Sequence, residues 1–171
     1  AVHLLVQRLS ARGHQVDLAT WHLGTTPSYP NVTIHRIPRL PFIRKVRPGF
    51  SFAKLFCDLF LAGLCARLLS TRRYDVVHAV EEGIFIALFL RVFYRAAVVY
   101  DMDSSMPLQI IENAPRARLI LPLLQRMERW AIRQATGVVC ICDALAEIAQ
   151  HAGAKRVAIL RDCSLLPITM N

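Results

Sequence analysis

Short apolar runs alternate along this chain with stretches of helical periodicity, and few architectures satisfy that alternation. Val76 to Val80 and Ala96 to Tyr100 are nearly continuous apolar runs, as expected of strands in a parallel sheet covered on both faces. Gln15 to Thr20, Gly137 to Cys142 and Arg156 to Leu160 read as further strands, as does the segment of Val32, Ile34 and Ile37 bounded by Pro30 and Pro38. Val2, Leu5, Val6 and Leu9 recur at helical spacing, with Gly13 as the stop. Phe50 to Ser70 reads as a long helix with apolar Phe52, Leu55, Phe56, Leu59, Phe60, Leu64 and Leu68. Gly83 to Tyr94 and Ala117 to Ala135 read as two more. Asp143 to Ala152 is the last, with Asp143 as its N-cap and Gly153 as its stop. The pattern predicts an α/β domain of Rossmann-like kind, a parallel sheet with helices on both faces. A helix in such a domain normally follows a strand. None precedes the first helix here, so the pattern starts one element late.

Bulk properties narrow the class. The chain has 171 residues, the size of one domain. Its apolar fraction of 54% excludes a disordered chain. A net charge of +9 favours anionic partners without choosing among nucleic acid, lipid surfaces and phosphorylated small molecules. The five cysteines are odd in number and lie among apolar neighbours, which opposes a disulfide framework and favours a reducing, cytoplasmic setting. Cys140 and Cys142 are expected on one face of a strand as buried thiols, with too few neighbouring ligands for a metal. The start of the chain lacks the compact apolar core of a signal peptide. Lys54, Asp58 and Arg67 interrupt the longest apolar stretch, which is therefore not a membrane span of about 20 residues.

Ligands in parallel sheets sit at the carboxyl ends of the strands, so chemistry is sought there. Glu81-Glu82-Gly83 follows Val80. Asp101-Met102-Asp103-Ser104-Ser105 follows Tyr100. Asp143 follows Cys142, and Arg161-Asp162 follows Leu160. These carboxylates and hydroxyls suit sugar hydroxyls, phosphate or acid–base work; they also suit strand ends and helix caps. Familiar nucleotide and nucleophile signatures are missing: the sequence contains no G-x-G-x-x-G, no P-loop lysine and no G-x-S-x-G elbow. His3, His22 and His35 have no partner at useful spacing, and His78 inside its apolar run reads as a satisfied core histidine. Trp21 and Trp130 do not interleave with a basic stripe, so no nucleic-acid module is indicated.

Several segments together resemble family-4 glycosyltransferases of the GT-B architecture. Arg12-Gly13-His14-Gln15-Val16 resembles their "RGHEV" turn, and Tyr74 to Ala79 their "DVVHAH" strand. Tyr100 to Pro107 is similar to the "YDMHSSMP" segment of one bacterial branch. Gly137 to Leu145 resembles the strand and cap in its "CPALA" variant, and Arg161-Asp162 the close of the domain. Residues 1–171 would then be the N-terminal, acceptor-side domain, lacking the family's first strand and its C-terminal nucleotide-sugar domain.

The resemblance implies retaining transfer of a sugar from a nucleotide diphosphate sugar to a glycan or lipid-linked acceptor, with no metal or other cofactor. The C-terminal domain of the same protein would be its partner, and this domain alone would be inactive. Asp103 stands where the family often has His, and is expected nearest the reacting sugar. Ser104 and Ser105 are expected to bind sugar or phosphate, with Glu81 and Glu82 toward the acceptor. Arg39, Arg44, Lys45 and Arg47, ahead of Phe50, Phe52, Phe56 and Phe60, form a basic-then-apolar stretch suited to an anionic membrane, peripherally on its inner face. A solvated loop before a core-facing helix fits the same residues. A non-catalytic binding module, or part of a GT-B sugar-nucleotide epimerase, remains the alternative.

Overall fold

The structure is a computed structural model that describes residues 2–24, 28–41, 43, 52–113 and 115–161. Among these residues six strands and six α-helices follow one another, with β1 and β2 in direct succession: α1 (Val2–Ala11), β1 (Val16–Thr20), β2 (Val32–Arg36), α2 (Phe52–Thr71), β3 (Val76–Val80), α3 (Gly83–Phe89), β4 (Ala97–Met102), α4 (Met106–Asn113), α5 (Leu121–Gln134), β5 (Gly137–Cys140), α6 (Asp143–Ala152) and β6 (Val157–Ile159). Short 3-10 helices, Leu90–Phe93 and Pro115–Ile120, follow α3 and precede α5.

All pairing among the described residues is parallel, but it forms two sheets rather than one: β1 with β2, and β3-β4-β5-β6. Val98, Tyr100, Met102, Val138 and Cys140 point from the larger sheet into the main core, against Ile84, Ala131, Ile132 and Ala149 of the helices. Helices α2, α3 and α5 pack in a row, each touching the next, and α5 also packs on α4 and α6. Alpha1 packs on β1.

Among the described residues, no strand lies between the facing edges of β1 and β3. Val16 N donates to Asn31 O at 2.9 Å and Ile37 N to Thr20 O at 3.1 Å, so these ends of β1 turn to β2. Strand alternation turns Asp17 and Ala19 the other way. On β3, Ala97 N donates to Asp75 O and Glu81 N to Asp101 O, both at 3.0 Å. The backbone of Val76, His78 and Val80 therefore faces β1. A cleft of about 870 Å³ lies between the two edges, floored by apolar Leu5, Val6 and Leu9 of α1 and Leu61 and Leu68 of α2.

One carboxylate ties the sheets across that cleft. Asp17, 13% exposed, accepts from Tyr74 Oη at 2.8 Å and from Arg72 Nη1 at 2.7 Å, and lies 2.7 Å from His35 Nε2. Arg72 is half exposed, and such screened pairs contribute little. The part-buried hydrogen bond from Tyr74 therefore carries most of the join, while His35 on β2 holds the Asp17 carboxylate from within its own sheet. Burial alone would raise the Asp17 pKa, but the hydrogen bonds from His35, Tyr74 and Arg72 outweigh it and hold it below 3.8. His35 thus has a partner that sequence spacing did not reveal.

Several local readings are corrected. Beta4 extends to Met102, so Asp101 and Met102 are buried strand residues and not loop. Beta5 ends at Cys140, and Cys142 is the N-cap of α6. Asp143 is the first helical residue and pairs with Arg161 at 2.8 Å instead of capping; it is well placed there, because a carboxylate complements the positive helix end. The long helix expected over 117–135 is a 3-10 turn followed by α5, and α4 ahead of them was not expected. Gly153, at φ 91°, ends α6 as predicted. Cys57 and Cys140 are fully buried, and burial raises the Cys140 thiol to about 11. Asp162 and Cys163 lie outside the described residues.

Asp17→Asn is expected to lower stability at neutral pH by about 1–3 kcal/mol, since it weakens the bonds to His35 and Tyr74 in a buried site. Because the native pKa is depressed, the wild-type contribution is present above 3.8 and is lost as pH falls through the lower native value. The variant should lack that acid-labile part, which urea midpoints measured across the acidic range would reveal.

Candidate functional site

The carboxyl ends of β1, β3 and β4 meet the first turns of α2, and charged groups collect there. Glu81 directly follows β3 and takes a left-handed backbone, φ 47°. A non-glycine residue in that conformation carries strain that the surroundings must hold in place. Its N–H donates to Asp101 O and its carbonyl accepts from Ile84 N at 3.2 Å, which clamps the turn on both sides. Glu82 comes next as the N-cap of α3, with no side-chain cap bond, so its carboxylate is available to other groups.

Alpha2 supplies the counter-charge. Lys54 Nζ lies 2.6 Å from Glu82 Oε1 and 4.0 Å from Glu81 Oε2, with its own side chain only 14% exposed. One turn further on, Asp58 accepts from Trp21 Nε1 at 3.1 Å, just past the end of β1. Burial raises the Asp58 pKa, and the Trp21 hydrogen bond and Lys54 oppose the rise. Burial also raises the Glu81 pKa, helped by the charges of Glu82 and Asp103 and opposed by Lys54. Asp103 therefore lies close enough to Glu81 for their charges to interact.

The arrangement brings Glu81, Glu82 and Asp103 together, as the strand-end argument expected. A carboxylate with a raised pKa is a stronger base than an ordinary one, and its neighbours can accept hydrogen bonds from hydroxyl groups. Lys54 and Asp58 are not among the site residues expected from the strand ends. Their signal was present: two charges spaced four apart in an otherwise apolar helix share one face. Trp21 carried no comparable signal.

The two serines are placed differently. Ser104 is partly exposed beside Asp103. Ser105 is buried, and its hydroxyl donates to Glu128 Oε2 at 3.1 Å, while Met106 N donates to Glu128 Oε1 at 2.9 Å. Glu128 of α5 thus caps the start of α4, a favourable place for a carboxylate. Ser105 acts here by fixing the loop that carries Asp103 and Ser104, not as an open ligand group. Burial raises the Glu128 pKa, against the bonds from Ser105 and Met106.

His78 lies 2.9 Å from Asp101 Oδ2, with its side chain 26% exposed, so it is partnered as expected but not deep in the core. His22 meets Ile43 O at 3.0 Å. Arg39 is exposed; Arg44, Lys45 and Arg47 lie outside the described residues. Phe56 and Phe60 are 50% and 36% exposed, so this part of α2 does not face the core as one reading of the sequence had it. No helix among the described residues is long and apolar enough to cross a membrane.

Glu128→Gln is expected to flatten the pH dependence of stability. The native pKa is raised, so the wild type loses stability as pH rises from 4.5 through the raised value. The amide has no such loss, but it gives up a charged acceptor worth about 1.5–3 kcal/mol per hydrogen bond. Denaturation curves on both sides of that range would separate the two effects.

The profile of Glycosyltransferase Family 4 matches residues 1–161 of the chain. No individual curated protein matches it.

Proposed function

The chain belongs to Glycosyltransferase Family 4, and on that premise we propose that it forms the acceptor-side domain of a retaining enzyme. The enzyme moves a sugar from a nucleotide diphosphate sugar to a glycan or lipid-linked acceptor. The observation that carries the reading is the gathering of Glu81, Glu82 and Asp103 at the carboxyl ends of β3 and β4, with Lys54 paired to the two glutamates. Asp103 lies nearest the reacting carbon, where its negative charge favours the positive charge that develops as the diphosphate leaves. Ser104 bonds to the donor. Glu81 and Glu82 face the acceptor hydroxyls, and Glu81 is suited by its raised pKa to receive the proton that the attacking hydroxyl loses. A second α/β domain of the same protein holds the nucleotide and closes the site. The buried free thiols Cys57 and Cys140 support a reducing, cytoplasmic setting.

The test is release of nucleoside diphosphate by the whole protein, supplied with a panel of nucleotide sugars and with or without acceptors. Asp103→Ala should lower kcat about 100-fold or more, the usual effect of losing one electrostatic stabiliser at the reacting centre. Unchanged kcat would remove Asp103 from that position. Consumption of the nucleotide sugar without any acceptor would favour an epimerase instead.

The reading also includes a strand ahead of α1. We place it in the cleft between β1 and β3, parallel to both, where it joins the two sheets into one. Support comes from the two facing backbone edges and from the apolar floor of the cleft. Alpha1 packs on β1 and lines this cleft, so residues directly ahead of it are positioned to enter. Amide exchange would test this in the protein carrying the residues that its gene encodes before Ala1. The amides of Asp17, Ala19, Val76, His78 and Val80 should become protected there and exchange quickly without that segment. Equal exchange in both forms, with Val98 and Val138 protected throughout, would reject the strand.

A further inference from the structure

The row of helices α2, α3 and α5 covers one face of the larger sheet, and its outer side is unusual in two respects. First, large apolar side chains stand in solvent on each part of it. Phe56 and Leu59 of α2 are 50% and 68% exposed. Phe89 and Val92, at the end of α3 and in the following turn, are 81% and 83% exposed. Leu123 and Trp130 of α5 are 57% and 48% exposed. These elements touch one another in sequence, and Arg91 Nη1 donates to Gln134 O at 3.1 Å, which binds the turn after α3 to the end of α5. The apolar residues therefore belong to one continuous layer.

Second, every exposed charge on these elements is an arginine: Arg67, Arg91, Arg126, Arg129 and Arg133. Their acids are turned inward. Asp58 accepts from Trp21 at the strand ends, and Glu128 is buried at the start of α4. A solvated helix face ordinarily mixes both signs. This one couples apolar anchors to arginines on a chain of net charge +9, and the exposed acids nearby, Glu112 and Glu147, stand on the neighbouring helices α4 and α6.

We infer that this helical face docks on an anionic lipid surface. Its apolar side chains would enter the acyl boundary while the guanidinium groups stay among the headgroup phosphates. Trp130 sits at the level where indoles collect in membrane interfaces. Nucleic acid would leave the aliphatic side chains without partners, and a protein interface would ordinarily be rimmed by polar groups of both signs. The inference rests on none of the residues from Arg39 to Arg47 and does not depend on the transfer reaction.

The full chain is mixed with vesicles of phosphatidylglycerol and phosphatidylcholine, and with vesicles of phosphatidylcholine alone. Co-sedimentation is expected with the first and not the second, with Trp130 emission shifting to the blue. Arg126→Glu/Arg129→Glu should weaken binding at least about tenfold, since each basic residue near such a surface matters at the kcal/mol level. Leu59→Ser/Val92→Ser should weaken it through the apolar part, and Trp130→Phe should abolish the emission shift without releasing the protein. All these positions are exposed, so circular dichroism should be unchanged. The inference is overturned if the anionic vesicles are not bound, or if both double variants bind as well as wild type. It is equally overturned if the face is occupied by a second copy, seen as lipid-independent self-association that the same variants disrupt.

Discussion

The arrangement depends on a join between two sheets that share no backbone hydrogen bond among the described residues. Asp17 makes that join. A carboxylate only 13% exposed carries a desolvation cost, and the donors Tyr74 and Arg72 together with His35 more than offset it. Its partners come from β2 on one side and from the junction before β3 on the other. Loss of this group would remove a polar tie across an apolar cleft.

The candidate site uses a second bridge over the same gap. Alpha2 packs on β1, β2 and α3, so its first turns reach the strand ends from above. Lys54 and Asp58 project from there toward Glu82 and Trp21. The resulting charge balance is uneven, with carboxylates gathered around a partly buried ammonium. Burial and mutual repulsion raise the pKa of Glu81 while Lys54 limits the rise. The same geometry also explains the strained turn at Glu81: the backbone must bend sharply there to start α3 while its N–H remains in the β3–β4 ladder.

Much of the fold was legible in the sequence because its signals are local. Val76 to Val80 is a strand with the boundaries read from its apolar run, and Gly13 and Gly153 end helices in left-handed conformations. The errors arose where a tertiary partner displaced a local rule. Asp143 has the residue type of a cap, but Arg161 takes its carboxylate and Cys142 holds the cap position. Ser105 looked like a ligand group, but a glutamate 23 residues further along the chain accepts its hydroxyl. The start of α4 was missed although Pro107 stands in its first turn, a position that favours helix initiation.

By itself, the sequence determined the alternation of strands and helices, the parallel class of sheet and the polar residues that end each strand. Those follow from periodicity and residue type, which act over a few neighbours. Only the tertiary structure decided that β1 and β3 face each other across an open cleft, that Lys54 and Asp58 belong to the site, and that the arginines of α5 share a face with exposed apolar side chains. Each depends on which helix packs beside which, and packing is set by long-range burial and charge pairing that no short window of residues contains.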